Sequence, residues 1–368
     1  MHQNDNNPSP PSRPGVRWRR LRALGVGICV LALLAAAGCS SSKSSGATSQ
    51  ASATSQASAT SQGTGSSAGS AFPGGTSLQG KTILMVIYTA PLAAWTPVLN
   101  AVKSVEASTG VKVDISYANN DNQTEISEIE AGISRKVAGM ALQITSTAVA
   151  GPVCRAAQAG IPVVAWNQDA LTGASASCVQ AYMGQNFVTA GLVLGQYMVQ
   201  HGYVKSGAQV FCPVEDTTAT YASGRAQGVN QALAAVGAKC NILAVGDADA
   251  GAQSAMTEYL LGHRNTTAII ALGGIPFANA PAVLTKMSMN IPVGGFDVYD
   301  PRIPKAIAAG KIVAAVDQQF YSQGFYAAQQ LALELQYGLY PSDMDTGGSG
   351  VVTKANVGDL VALSGTYR

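Results

Sequence analysis

The sequence predicts an α/β protein of two similar Rossmann-like lobes, each built on a parallel sheet. Three observations predict it. From Lys81 onwards, strand-like and helix-like patterns alternate, as they do where parallel sheets are joined by right-handed crossovers. Ile161–Asn167 is echoed by Ile291–Asp297: in both, Pro opens a short apolar run that closes on an aromatic and a hydrogen-bonding side chain. The patterned region, residues 79–368, is too long for one comfortable core and suits two.

The elements follow in order. Thr82–Tyr88 is a β-rich run, and helical spacing continues from Trp95 to Ala107. Val111–Tyr117 is the next strand, Thr124–Val137 a helix entered from Asn122, and Gly139–Ile144, Ile161–Trp166 and Gln180–Met183 are further strands. After Gly184-Gln185-Asn186 the alternation restarts with a helix to His201, strand Gln209–Phe211 and helix Arg225–Val236. Strand Asn241–Val245, a helix to Gly262, strand Ala268–Leu272 and a helix to Met287 come next. Strand Ile291–Phe296, helix Pro304–Ala309, strand Ile312–Val316 and a long helix to about Tyr337 complete the series.

The echoed runs read as buried parallel strands with Pro at the first turn. Ligands of open α/β sheets bind just beyond the carboxyl ends of the strands. Trp166-Asn167 and Phe296-Asp297 therefore each offer an aromatic face and a polar tip. Facing one another, they frame a cleft for a small molecule that is apolar on its faces and hydroxylated at its rim.

The N-terminus concerns export. Arg17, Arg19, Arg20 and Arg22 precede the apolar run Ala23–Gly38, which is too short to span a bilayer comfortably. Ala36-Ala37-Gly38-Cys39 resembles the lipobox of bacterial lipoproteins, which usually has Leu where Ala36 stands. The resemblance implies that residues 1–38 are a cleaved signal peptide. Cys39 then receives a diacylglyceryl group that anchors the chain to the outer face of the cytoplasmic membrane. An ordinary secretory signal and an uncleaved anchor are the alternatives. Residues 39–78 form a tether rich in Ser, Ala and Gln with no apolar pattern to bury, reaching roughly 35 Å as a flexible chain.

Removing residues 1–38 takes away five Arg and one Asp, turning the formal charge of +2 into −2. No basic patch with interleaved aromatics appears, which argues against nucleic acid. Charged residues make up only 11% of the chain, which suits a neutral ligand better than a polyanion. Beyond Cys39, the mature chain has Cys154, Cys178, Cys212 and Cys240. An even number in an exported domain favours disulfides, with three possible pairings. Cys154–Cys178 and Cys212–Cys240 each stay within one lobe, and the first is the expected bond. For the second pair, sulfurs at opposite ends of parallel neighbouring strands leave two free thiols as an equal alternative.

The segments GIPVVAWNQD (160–169), YMGQN (182–186), RAQG (225–228), GGFD (294–297) and DQQFYSQG (317–324) are individually unspecific. In this order and spacing, the chain from Lys81 to about Asn356 resembles the type-1 periplasmic binding proteins, in particular the ribose- and galactose-type sugar receptors of ABC importers. The stretch from Cys154 to Tyr182 is also similar to a subgroup that includes rhamnose and quorum-signal receptors, which have Trp-Asp where Trp166-Asn167 stands. The resemblance implies two lobes joined by a three-stranded hinge, with residues 79–184 and 318–341 in one and 185–317 and 342–368 in the other. Ligand binding then favours the closed form.

The resemblance also implies site roles. Arg225 matches the arginine whose planar fork spans ligand hydroxyls, Asp297 and Asn167 are polar strand tips, and Gln318 holds the hinge position. Trp95, Trp166 and Phe296 are candidates to stack on a sugar face. Tyr88 and Gln143 end strands one and three and point to the ligand, while Gln168 and Asp169 rim the site. One departure stands out: Gly273-Gly274 follows the strand Ala268–Leu272 where many sugar receptors have a polar residue. A hydrogen bond is missing there, or a larger ligand fits, or Asn279 substitutes.

Other patterns lack the context their chemistry requires. Gly75–Thr82 spells a P-loop but follows a tether and enters a strand, whereas phosphate binding needs the amides of a helix start. Gly65–Gly69 matches a hydrolase elbow inside low-complexity sequence. His2, His201 and His263 are isolated, with no zinc spacing. The sequence thus reads as the solute-binding component of an ABC importer, monomeric and without a cofactor. It would capture a small neutral carbohydrate or polyol and deliver it to a permease. A sensory receptor of the same fold for a furanose-like signal or sugar is the first alternative. An exported carbohydrate-active enzyme is the second, but it needs two carboxylates flanking the scissile bond; Asn167 stands where Asp297 would seek its partner.

Overall fold

The alternating pattern folds into two sheets of nearly identical order. β1 (Thr82–Ile87), α1 (Thr96–Thr109), β2 (Lys112–Tyr117), α2 (Asn122–Arg135), β3 (Gly139–Ile144), α3 (Ala150–Gln158), β4 (Val163–Asp169) and β5 (Ala181–Gly184) build the first lobe. α4 (Phe187–Gln200), β6 (Gln209–Val214), α5 (Thr220–Leu233), β7 (Lys239–Ala244), α6 (Asp249–Gly262), β8 (Ala268–Ala271), α7 (Gly274–Lys286), β9 (Val293–Phe296), α8 (Arg302–Ala308) and β10 (Ala314–Val316) build the second. The chain returns to the first lobe with α9 (Phe320–Tyr337) and β11 (Met344–Asp345), and to the second with β12 (Val351–Val352) and α10 (Gly358–Leu363). The computed structural model describes residues 75–348 and 350–368. The signal peptide, Cys39, the tether up to residue 74 and the Gly65–Gly69 pattern lie outside the described residues.

The first sheet runs β2-β1-β3-β4-β5-β11 and the second β7-β6-β8-β9-β10-β12. Every pairing is parallel except β12 against β10. Each sheet therefore changes direction once, between β1 and β3 and between β6 and β8. These are the switch points beyond which ligands of such sheets bind. Helices cover both faces, which is why the strands read as continuous apolar runs; β3 is buried at every position. Leu78 is buried and β1 begins at Thr82, so Gly75–Thr82 leads into a strand as its sequence context requires.

Local chemistry sets the helix ends. Asp121 caps α2, accepting from the N–H groups of Gln123 and Thr124 and from the Thr124 hydroxyl, which holds its carboxyl below the ordinary value. α1 has Pro97 in its first turn and ends at Gly110 (φ 75°), whose N–H returns to the Glu106 carbonyl. α4 and α5 cross backbone to backbone. A Cβ on Gly191 would strike the Arg225 carbonyl, and one on Gly228 would strike that of Val188. This close crossing fixes the height at which Arg225 leaves α5.

Three expectations are corrected. α5 starts at Thr220, five residues before the expected helix start, so Arg225 lies in its second turn. β6 extends to Val214, which places Cys212 in mid-strand instead of at the strand end. Val210 pairs with Cys240 and Cys212 with Ile242, so the two cysteines are close diagonal neighbours with Cα atoms 5.5 Å apart, and they are bonded. Cys154 and Cys178 are bonded as well. β11 pairs with β5 before the chain crosses to β12, so the third crossing lies between residues 345 and 351 and not at 341/342.

Glu125, in the first turn of α2, is wholly buried and neither carboxyl oxygen has a hydrogen-bond partner among the described residues. Burial pushes its pKa up to about 8. The folded state thus keeps a proton that the unfolded chain releases near pH 4.3, and stability falls as pH rises from there to about 8. Glu125→Gln is expected to raise Tm at about pH 8.5 by at least roughly 2–4 °C, the shift about 1 kcal/mol makes in a large domain. The gain should vanish near pH 4; calorimetric scans at both pH values check it.

Candidate functional site

The carboxyl ends of the two sheets meet in a continuous chain of polar side chains. In the first lobe, Gln143 on β3 accepts from the Tyr88 main-chain N–H (2.9 Å) and donates through Nε2 to Asn167 Oδ1 (2.7 Å). Asn167 Nδ2 donates to Gln318 Oε1 (3.1 Å) and Gln323 Oε1 (2.9 Å). Gln318, on the hinge segment between β10 and α9, donates through Nε2 to Asp297 Oδ1 (2.8 Å). Asp297 then meets Arg225, with Nη2 to Oδ1 at 3.1 Å and Nη1 to Oδ2 at 3.3 Å. Arg225 Nε and Nη2 both donate to Gln185 Oε1 (3.2 and 3.0 Å), and Nη1 also donates to the Leu272 carbonyl (2.8 Å). Gln185 opens the first crossing and donates to the Gly347 carbonyl beside the third (3.0 Å). The chain of bonds therefore touches all three hinge segments.

Backbone conformation aims the two echoed tips. Asn167 and Asp297 have φ of 61° and 77°, a left-handed conformation that Asn and Asp tolerate better than most residues. Each therefore breaks the strand's alternation immediately after its aromatic. The sequence echo is an echo of geometry.

The remaining expected residues take varied places. Trp95 is buried; its Nε1 donates to Thr89 Oγ1 (2.7 Å), and it meets Trp166 and Phe320 edge-on at 5.7 and 5.1 Å. Trp166 corrects an expectation: it is wholly buried inside the first-lobe core and offers no stacking face. Phe296 is buried too, and the guanidinium of Arg225 lies over its ring at 4.5 Å, so that face serves a cation–π contact. The Tyr88 hydroxyl donates to the Asn120 carbonyl (3.1 Å) within its own lobe. Gln168 accepts from Thr220 Oγ1 (2.7 Å), a direct bond between lobes. Asp169 is half-buried and accepts from the Leu171 N–H (3.1 Å).

Arg225 departs furthest from its expected role. Its five donors are all committed to Asp297, Gln185 and Leu272, so the fork expected to span ligand hydroxyls instead orients Asp297. Asp297 and Gln318 present the remaining hydrogen-bonding capacity of this wall.

Sequence reasoning missed Gln185, Gln323 and Glu215. The first two lie inside the resembling segments, which is the signal that could have found them. Glu215 follows the apolar run of β6 and accepts from the Ile275 N–H (2.7 Å) and the Tyr221 hydroxyl (3.0 Å). Its carboxylate fills the space over Gly273, where any Cβ would collide with it. Asn279 does not substitute there, being tied to Gln253, Asp249 and the Ile275 carbonyl. Burial raises the pKa of Glu215, opposed by its hydrogen bonds and reinforced by nearby Asp297. Burial, helped by Glu215, also holds the Tyr221 and Tyr299 phenols far above their ordinary value, so both are neutral. Among the described residues, no group of His, Cys, Asp and Glu could hold a metal ion.

Residues 83–338 match a family described as a periplasmic binding protein domain. A carbohydrate transporter from Acidothermus cellulolyticus 11B in complex with myo-inositol shares the fold at 24% identity, covering 78% of this chain and 99% of that one, with a TM-score of 0.69. An ABC transporter solute binding protein from Burkholderia graminis C4D1M in complex with D-arabinose is 24% identical over 77% of this chain and 98% of its own, with a TM-score of 0.68. A glucose-galactose binding protein from Geobacillus stearothermophilus is 20% identical over 76% and 99%, with a TM-score of 0.67. No curated protein matches the sequence.

Arg225→Ala leaves the buried Asp297 carboxylate without its cation and is expected to destabilise the protein by about 3–5 kcal/mol. Arg225→Lys should recover little of that, because an ammonium cannot serve both carboxylate oxygens and the Gln185 amide at once. Urea unfolding of the two variants checks this; full recovery by Lys would show that charge alone matters.

Proposed function

The chain belongs to the periplasmic binding protein domain family, and on that premise we propose that it is the extracytoplasmic solute-binding component of an ABC importer. It captures a small neutral carbohydrate or polyol between its lobes and passes it to a membrane permease. The observation that carries this reading is the polar chain Gln143–Asn167–Gln318–Asp297–Arg225, which links both lobes through a hinge residue. A ligand touching both strand tips interacts fully only with the closed form, and that differential affinity drives closure. Amides and a carboxylate held by a guanidinium suit hydroxyl groups, which both donate and accept. The myo-inositol and D-arabinose named with two similar structures support this ligand class. Chemistry on the ligand is not part of the proposal.

The lipobox-like Ala36–Cys39 supports an anchor that keeps the receptor beside its permease. Cys39→Ser is then expected to shift the protein from the membrane fraction to the medium; immunoblots of both fractions check it, and unchanged membrane retention would argue for an uncleaved signal. Ligand identity is open to a thermal-shift screen of aldoses, ketoses, polyols, nucleosides and furanosyl signals. A true ligand at 100 times Kd stabilises by about 2.7 kcal/mol and should raise Tm by at least roughly 5 °C. Silence from every sugar and polyol, with a nucleoside or furanosyl signal responding, would replace the transport-cargo reading with the sensory one.

A further inference from the structure

We infer that Glu215 is the specificity-determining contact of the cleft, accepting ligand hydroxyls and rejecting anionic sugars. This rests on the solute-binding reading above and deepens it. Glu215 immediately follows β6 and Gly273 follows the end of β8, so the two flank the switch point of the second sheet. Ligands of open α/β sheets approach at this point. Its topological counterpart in the first lobe is Tyr88, which follows β1 beside β3. With Asp297 after β9, the second lobe therefore lines up carboxylates on two of three consecutive neighbouring strands, with glycine between them.

Glycine at 273 is what makes the arrangement possible, because a side chain there would meet the Glu215 carboxylate. The carboxylate is held by two neutral donors, the Ile275 N–H on Oε1 and the Tyr221 hydroxyl on Oε2. Each oxygen keeps a lone pair for a ligand. Both oxygens accept, as those of an ionised carboxylate do; burial works against the charge and the hydrogen bonds for it. Among the described residues no cation is paired with it. Arg225, which passes close by on the Tyr221 ring (5.3 Å), has all its donors engaged elsewhere. Arg302 is bound to Asp249 and Asp300.

The same count extends across the cleft. Both Asn167 Nδ2 hydrogens are engaged; one hydrogen remains on each of the Gln318 and Gln143 amides, and Gln168 engages only its oxygen. Acceptors remain at Asp297 Oδ2, Asn167 Oδ1 and both oxygens of Glu215. The free capacity thus holds both donors and acceptors, with the negative charge of Glu215 among them, which matches the hydroxyls of a neutral polyol. A uronate, aldonate or sugar phosphate would bring a charge of the same sign against Glu215, and like charges at close range are costly in a low-dielectric wall.

Calorimetric titration of the purified protein tests this with D-glucose, D-galactose, L-arabinose and myo-inositol, each beside an anionic partner: D-glucuronate, D-galacturonate, L-arabinonate and inositol 1-phosphate. The wild type is expected to bind at least one neutral probe and to prefer it over its partner by at least about 100-fold. Glu215→Gln should weaken that neutral probe by about 10- to 100-fold, the range for a hydrogen bond to a charged group, and shrink the preference at least tenfold. Loss of affinity for both probes alike, with the preference intact, would assign Glu215 a structural role and overturn the inference. If Glu215→Gln does not fold, Glu215→Asp decides: keeping the charge but withdrawing it should weaken the neutral probe while the preference persists, and unchanged affinity would refute the contact. If neither these probes nor any compound of the thermal-shift screen binds the wild type, the solute-binding reading itself fails, an outcome distinct from binding that Glu215→Gln leaves untouched.

Discussion

A buried ion pair governs this structure. Arg225 and Asp297 are almost wholly withdrawn from solvent and share two hydrogen bonds. Desolvating both charges is expensive, and the pair is tolerable only because every remaining donor of the guanidinium finds a partner. Those partners tie together parts of the chain that are remote in sequence. Gln185 belongs to the first crossing, Leu272 follows β8, and Gln318 reaches Asp297 from the second crossing. The geometry of the cleft follows from keeping that one pair satisfied. The glycine crossing of α4 on α5, the left-handed Asp297 and the ring of Phe296 beneath the guanidinium all serve it.

The hinge is chemically part of the site. Gln318 is an amide with one end in each lobe: its oxygen accepts from Asn167 and its nitrogen donates to Asp297. Gln323 braces it by donating to the Gln318 carbonyl. Opening the lobes must therefore break hydrogen bonds between site residues, and a ligand that replaces those bonds acts directly on the opening equilibrium. On the proposed reading, capture and conformational change are coupled through the same few atoms, with no relay needed between a distant site and a distant joint. Near the same segment, Asp317 binds Arg368 in the C-terminal tail, while the Asn100 amide of α1 donates to the Thr366 carbonyl. The tail thus also bonds to residues of both lobes.

Much of this was legible in the sequence, for physical reasons that differ by element. Strands buried on both faces leave uninterrupted apolar runs, so the order of elements could be read directly. The echo of Ile161–Asn167 in Ile291–Asp297 exposed the pseudo-symmetry and both polar tips. Short elements without a buried face left no pattern: β11 and β12 are two residues each, and missing β11 misplaced the third crossing. Cys212–Cys240 was obscured by a strand that continues three residues further than its apolar pattern suggested, through Pro213. Side-chain commitments were harder still. Arg225 stands beside Asp297, yet nothing in the sequence says that its donors are used on neighbours. Glu215 was invisible because its meaning depends on the empty side chain of Gly273, a residue on another strand.

We propose that ligand binds, and closes the lobes, at the polar chain joining the strand tips. Hydrogen–deuterium exchange, with and without the tightest-binding neutral polyol, tests it most directly. New protection is expected at the ends of β4, β6 and β9 and along residues 317–324, where bound ligand and a closed hinge would slow local opening. Protection confined to other surfaces, with these segments unchanged, would contradict it.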